Sequence, residues 1–159
     1  MRELTNRFRE TAVFRLYRSF SPASRAAILL TIPFTLVDAI HYYTAGTALV
    51  VSFPLVILVY LVCGITAGRM ATRDDPTADK LFRVGGMAAF RLWLTSTVIN
   101  VLISVLLGFV TVGATVVATT AYLCLSAPLH AMASWVIGGT GGWLHQEIRE
   151  RTRPDDFVE

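Results

Sequence analysis

The chain has 159 residues, of which 54% are hydrophobic and 16% are charged, and its formal net charge is +3. Soluble domains carry roughly 25% charged residues, so this composition argues against a soluble globular protein and favours one small helical membrane domain. From Leu92 to Leu144 the only titratable side chains are Tyr122, Cys124 and His130.

Residues 1–21 predict an amphipathic helix that lies on the cytoplasmic surface of a membrane. Its apolar side chains recur every four residues, at Phe8, Ala12, Leu16 and Phe20. Arginines cover much of the remaining surface and are expected to reach anionic lipid headgroups: Arg7, Arg9, Arg15 and Arg18. Nucleic-acid binding is the alternative for a basic segment, but the apolar stripe favours lipid, so we expect no nucleic-acid partner. Ser21-Pro22 predicts the start of the next helix, with Ser as the N-cap.

Four apolar runs predict four membrane crossings, at about 26–43, 48–68, 92–112 and 114–136. A helix needs about 20 apolar residues to cross a bilayer. The first run is expected to be an uncleaved anchor, because it begins behind an arginine-rich segment and contains Asp38. Glycines predict a bend at Gly85-Gly86 and a flexible joint at residues 138–142. Residues 22–144 therefore form the predicted transmembrane domain, and residues 145–159 a charged cytoplasmic tail.

The predicted fold is all-α: a polytopic four-transmembrane-helix bundle with amphipathic N-terminal and C-terminal surface helices. With four crossings, both termini and the loop at residues 72–80 share one side, and all fourteen Lys and Arg residues lie there. The positive-inside rule therefore predicts a cytoplasmic N-terminus and C-terminus. Thirteen of those fourteen are arginine, which indicates a GC-rich genome. We expect a multi-pass protein in the cytoplasmic membrane of a prokaryote.

Asp38 and His41 are the most conspicuous polar pair, three residues apart on one face of the first predicted crossing. A charged group at membrane depth costs about 2.5–3.5 kcal/mol on insertion scales, so it normally faces a partner or a pathway. At about 1.5 Å per residue, Tyr122 comes to the level of Asp38, while Asn100 and His130 form a second layer nearer the cytoplasm. A buried, hydrogen-bonded acid is the simplest interpretation of Asp38, and an ion or proton site is the alternative.

Small and polar residues recur every four positions on the predicted crossings, which is typical of faces where membrane helices meet. These faces comprise Ser96, Asn100, Ser104 and Gly108 on the third crossing, and Tyr122, Ser126, His130 and Ser134 on the fourth. On the first crossing Thr31, Thr35, Asp38 and Tyr42 share a face, and we expect these three faces to meet. Gly64 and Gly68 on the second crossing match the small-xxx-small pattern of close helix packing.

No motif predicts an enzyme, a cofactor or a metal centre. Asp38 and His41 lie about 10 Å or more along the bundle axis from His130, whereas zinc ligands lie within about 2.0–2.2 Å of the metal. The two cysteines, Cys63 and Cys124, lack a C-x-x-C spacing and read as small buried side chains. The sequence therefore predicts a non-enzymatic accessory, scaffold or self-associating bundle, alone as a homo-oligomer or within a larger membrane complex. The alternative is an oligomeric channel or small transporter with a proton- or cation-responsive Asp38/His41 site.

Overall fold

In a computed structural model, the described backbone covers residues 11–43, 49–71, 77–111 and 114–152. Side chains are described for residues 11, 13–37, 54–71, 77–103, 105–106 and 127–152. Within these ranges the chain is all-helical, with five α-helices and no strand. They are α1 (Ala12–Ser19), α2 (Pro22–Tyr43), α3 (Leu49–Ala71), α4 (Ala78–Thr111) and α5 (Ala114–Thr152).

Hydroxyl side chains mark the beginnings of three helices. Thr11 Oγ1 accepts from the Phe14 backbone N–H at 3.4 Å, and Thr77 Oγ1 accepts from that of Lys80 at 3.4 Å. Ser21 Oγ accepts from the Ser24 backbone N–H at 3.3 Å, and Pro22 is the first residue of α2. The serine side chain accepts from one of the backbone N–H groups that have no partner at the start of a helix. Proline has no N–H, so the first helical position leaves no donor unsatisfied. The predicted start of α2 is confirmed.

Helices α2 and α5 both pack on the α3–α4 pair. Both α2 and α5 make extensive contacts with α3 and with α4, so they lie on different sides of that pair. Alanines let α2 come close, since Ala23, Ala26 and Ala27 are buried there. The rings of Phe34 on α2 and Tyr60 on α3 then meet with centroids 5.0 Å apart.

Two of the helices run through glycines at which the sequence predicts a bend and a joint. Helix α4 has 34 residues and includes Gly85 and Gly86, and α5 has 39 residues and includes the whole segment 138–142. The predicted joint is therefore wrong, whereas the predicted bend at Gly85-Gly86 stays a prediction within a continuous helix. At 1.5 Å per residue the two helices are about 51 and 58 Å long, considerably longer than a bilayer core.

The glycines are the contact points between helices. We call this set the glycine seam: Gly64 and Gly68 of α3, Gly85 and Gly86 of α4, and Gly138, Gly139, Gly141 and Gly142 of α5. The carbonyl oxygen of Gly138 occupies the space that a Cβ would need at both Gly64 and Gly85. Four residues further on, a Cβ at Gly68 would lie 3.4 Å from the Gly142 Cα. Helix α5 is therefore in backbone contact with both neighbours.

The seam explains why a glycine-rich segment stays helical. A glycine costs about 1 kcal/mol relative to alanine in a helix interior, so four of them cost about 4 kcal/mol. Close backbone approach offsets that cost through dispersion contacts and weak Cα–H···O interactions, which side chains would prevent. Thr140, the non-glycine residue of the segment, is exposed, and its hydroxyl donates to the Val136 carbonyl at 2.9 Å.

Two helices are long and apolar enough to cross a membrane, within the residues that the structure describes. The spans are Pro54–Ala71 in α3 and Ala78–Ile103 in α4, and Pro22–Val37 in α2 is a shorter apolar stretch. This length and composition are weakly consistent with a membrane protein. The four crossings expected from the sequence stay a prediction.

We expect Gly138→Ala to destabilise the protein. The new methyl group would meet the Ala89 Cβ and lie 2.7 Å from the Gly85 carbonyl oxygen. Overpacking of this kind costs about 1–3 kcal/mol, more than the roughly 1 kcal/mol that alanine gains in helix propensity. The free energy of unfolding, followed by circular dichroism in mild detergent, measures the effect.

Thr140→Ala is the matched control, because it changes an exposed residue of the same segment. We expect its unfolding free energy to stay within about 0.5 kcal/mol of wild type. A Gly138→Ala variant as stable as wild type, or more stable, would show that helix propensity, and not close packing, governs this segment.

Candidate functional site

Asp38, His41 and Tyr122 lie on described helices, but their side chains are outside the described residues. Asp38 and His41 belong to the last turns of α2, and Tyr122 belongs to the part of α5 that precedes the seam. The proposed contact between them stays a prediction. The same holds for the packing positions Ser104, Gly108 and Ser126, and for Arg7 and Arg9, which precede the described chain.

The inner polar residues lie on α4 and α5, and three of them are buried. Asn100 and Ser96 are both buried on α4, and Asn100 Nδ2 donates to Ser96 Oγ at 3.5 Å. Ser134 of α5 is fully buried, and its hydroxyl donates to the Ala131 carbonyl at 2.9 Å. His130 is half-buried one turn earlier on the same helix. Burial of these four side chains accords with a contact face and not with a solvent-facing one.

Several of the described hydroxyls donate to a carbonyl of their own helix. Thr31 Oγ1 donates to the Ala27 carbonyl at 2.8 Å, and Thr66 Oγ1 donates to the Val62 carbonyl at 2.7 Å. Such back-bonding satisfies the hydroxyl without another partner. Thr35 is different, because its Oγ1 is shielded from solvent and has no hydrogen-bond partner among the described residues. Thr35 lies three residues before Asp38 on α2.

The predicted packing glycines of α3 lie against α5. Gly64 meets the Gly138 backbone, and Gly68 meets Gly142 and the Cβ of His145. The sequence marks Gly64 and Gly68 through their spacing. It does not reveal that their partners are the glycines at which the joint is predicted.

Arg91 is a polar contact that the sequence interpretation overlooks. Its Nη1 donates to Ser21 Oγ at 3.0 Å and also to Ser24 Oγ, so it connects α4 to the beginning of α2. The sequence places Arg91 just outside the third crossing, as the last charge before a long apolar run. Its aromatic neighbours, Phe90 and Trp93, have ring centroids 5.7 Å apart and are the local signal for an interfacial position.

His145 lies where α5 leaves the seam. It is half-buried and its Cβ is near Gly68. Burial, followed by the positive charges of Arg69 on α3 and Arg149 on α5, lowers the pKa of His145 below its ordinary value of 6.5. Each cause disfavours the protonated imidazole. His145 is therefore neutral at pH 7 and adds no charge to this end of the molecule.

Cofactor and metal binding find no positive indication in these residues. Within the described ranges, no three His, Cys, Asp or Glu side chains come together as a metal ion would require. Cys63 is buried in the α3 contact with its neighbours and has a free thiol.

Comparison with known proteins adds no family to this picture. No protein-family model, curated protein or solved structure matches the chain. What the protein does is therefore inferred from the contacts, burial and charge of its own residues.

We expect the protein to lose stability as the pH falls below about 6.5. The unfolded chain binds a proton at His145 near its ordinary pKa of 6.5, whereas the folded chain binds it only at lower pH. The contribution is therefore complete above 6.5 and is lost as the pH falls towards the folded-state pKa. Unfolding temperature measured from pH 8 to pH 5 tests this.

His145→Gln is the matched variant, because it keeps a polar side chain that cannot be protonated. We expect its unfolding temperature to change less than that of wild type between pH 7 and pH 5. An unchanged pH profile in this variant would exclude His145 as the responsible group.

Proposed function

We propose that the chain is an integral membrane protein with four crossings, in which α2 to α5 form the transmembrane domain. Both termini lie on the cytoplasmic side, and the protein resides in the cytoplasmic membrane of a prokaryote. Its role is non-enzymatic: a scaffold, accessory subunit or self-associating bundle. The partners would be the lipid bilayer, anionic headgroups, and either further copies of the chain or a larger membrane complex.

The observation that carries the proposal is the exposed apolar surface of the packed helices. Only 28% of the α3 span and 33% of the α4 span are buried, whereas the core helix of a soluble protein would be mostly buried. Large apolar side chains are exposed on all four helices, among them Ile32 and Leu36 of α2, Leu58 of α3, Leu102 and Leu106 of α4, and Leu129 and Met132 of α5. Such a continuous apolar surface is stable against lipid and unfavourable against water.

Helix α1 and the distribution of charge support the orientation. On α1 the apolar residues Val13 and Leu16 are 73% and 61% exposed, as an interfacial helix requires for contact with lipid. Arg15 and Arg18 are exposed on the same helix. Tyr17 OH donates to the Arg25 carbonyl at 3.4 Å and holds α1 against the start of α2. An amphipathic helix at the cytoplasmic surface fits this arrangement.

The glycine seam supports a scaffold in preference to a pore within one chain. Helices α3, α4 and α5 touch through their backbones at Gly64, Gly85 and Gly138, so at this level of the described helices there is no space among the three for an ion or solute. Small-residue contacts of this type stabilise helix association in membranes. Lipid tails are as apolar as the helices, so no hydrophobic effect drives the helices together there.

An oligomeric channel or small transporter is the alternative function. One observation favours it: the buried Thr35 Oγ1 lacks a hydrogen-bond partner among the described residues and lies on the same helix as Asp38 and His41. A polar group of this kind is expensive in an apolar interior. It would suit a water or cation near a proton- or cation-responsive Asp38.

We expect the protein to remain in the membrane fraction after washing at alkaline pH in carbonate, because four apolar helices would have to leave the lipid. Reporters fused to either terminus should report a cytoplasmic location. The control is a reporter inserted between residues 45 and 46, in the link between the first two predicted crossings, which should report the opposite side. Release of the chain by carbonate would contradict membrane integration. Termini on opposite sides would contradict four crossings, and two outer termini would contradict the proposed orientation.

We expect no proton or cation flux above that of empty liposomes from reconstituted protein between pH 5 and pH 8, because the described helices are in close contact. Asp38→Asn should be equally silent, and Asn100→Ala is its control at a second polar position. Flux in wild type that Asp38→Asn abolishes and Asn100→Ala preserves would favour the channel over the scaffold.

A further inference from the structure

Some of the N–H donors of Arg91 have no acceptor in the described part of the chain. Its Nη1 contacts the uncharged hydroxyls of Ser21 and Ser24. A guanidinium carries five N–H donors, and those of Nε and Nη2 have no acceptor among the described residues. Nor does any described carboxylate form an ion pair with Arg91. Its charge is held in place by hydroxyls but is not neutralised.

A second guanidinium follows directly in the chain. Arg25 is the residue after Ser24, and its Nε is shielded from solvent without a hydrogen-bond partner among the described residues. The backbone carbonyl of the same residue accepts from Tyr17 OH, which fixes α1 beside it. A charged donor left unsatisfied in a shielded position is costly. Arg91 is half-buried and contacts Ser21 and Ser24, at the start of the helix that carries Arg25. The shielded Arg25 donor and the remaining donors of Arg91 together indicate an acceptor that comes from outside the chain.

The surroundings of the junction are those of a membrane interface. Trp93 and Phe90 flank Arg91 in sequence, and their rings are in contact. Leu94 follows Trp93 and is 46% exposed, and Phe20 precedes Ser21 and is 41% exposed. Aromatic rings prefer the headgroup level, and exposed leucines prefer acyl chains. An occupant of this junction would therefore meet cations at one end and apolar surface at the other.

We propose that Arg91 and Arg25, together with the hydroxyls of Ser21 and Ser24, bind the phosphate of an anionic phospholipid headgroup. This inference rests on the proposed membrane location. Guanidinium groups bind phosphate oxygens through paired, charge-assisted hydrogen bonds. Ser21 Oγ and Ser24 Oγ lie 3.1 Å apart, so one hydroxyl donates to the other and the second hydroxyl can donate to a phosphate oxygen. Free inorganic phosphate offers the same oxygens, but it has no acyl chains to cover Leu94 and Phe20.

The test uses the full chain purified in dodecylmaltoside, with phosphatidylglycerol, phosphatidylcholine or inorganic phosphate added. The apparent dissociation constant comes from the rise in unfolding temperature with ligand concentration. We expect stabilisation by phosphatidylglycerol, less by phosphatidylcholine and none by inorganic phosphate. Arg91→Gln and Arg25→Gln should each weaken phosphatidylglycerol binding about tenfold, as expected for one lost charge-assisted contact.

Arg83→Gln is the matched control, because Arg83 lies on the same helix but is exposed and pairs with Asp79 at 3.1 Å. Its response to phosphatidylglycerol should equal that of wild type. If Arg91→Gln does not fold, Arg91→Lys keeps the charge but loses the paired donors and should still bind more weakly.

Three results would overturn the proposal. One is an unchanged phosphatidylglycerol response in both arginine variants, which would leave Arg91 as a link between α2 and α4 only. Another is equal stabilisation by inorganic phosphate, and the third is equal weakening by Arg83→Gln. Failure of the membrane proposal itself is seen separately, as release of wild-type protein by carbonate before any lipid is added.

Discussion

The rest of the fold depends on one close contact, in which the Gly138 carbonyl oxygen fills the space beside both Gly64 and Gly85. A side chain at any of these positions would separate the helices. Because the contact involves three helices at once, it fixes the position of α5 against α3 and of α5 against α4 together. Helix α2 then packs on the α3–α4 pair through alanines and the Phe34–Tyr60 ring contact.

Much of the fold can be predicted from local sequence. Hydropathy gives the apolar helices, and Ser21-Pro22 gives the start of α2. The continuity of α5 through residues 138–142 cannot be predicted in this way. Helix propensity is a property of each residue and assigns these glycines a cost of about 1 kcal/mol apiece. What offsets the cost is the close approach of the α3 and α4 backbones, at Gly64 and Gly85, which lie more than 50 positions earlier in the chain and have no local signature.

In the candidate site too, some features are encoded locally in the sequence and others depend on contacts between distant segments. Burial of Ser96, Asn100 and Ser134 accords with their four-residue spacing, because spacing encodes a helix face. The role of Arg91 has no such local code. The sequence separates Arg91 from Ser21 by 70 positions, and a charge beside an apolar run normally marks the end of a membrane crossing. In the structure that charge lies within a 34-residue helix and is hydrogen-bonded by hydroxyls of α2.

The position of Arg91 also bears on the choice between scaffold and channel. The seam closes the space among α3, α4 and α5, so a pathway within one chain would have to follow α2. At the end of α2 that is proposed to be cytoplasmic, a cation moving between α2 and α4 would meet Arg91 and Arg25. Like charges repel strongly where water is scarce, by about 4 kcal/mol at 4 Å for an effective dielectric constant of 20. The same charges attract an anion, so this junction favours a lipid-anchored scaffold over cation conduction.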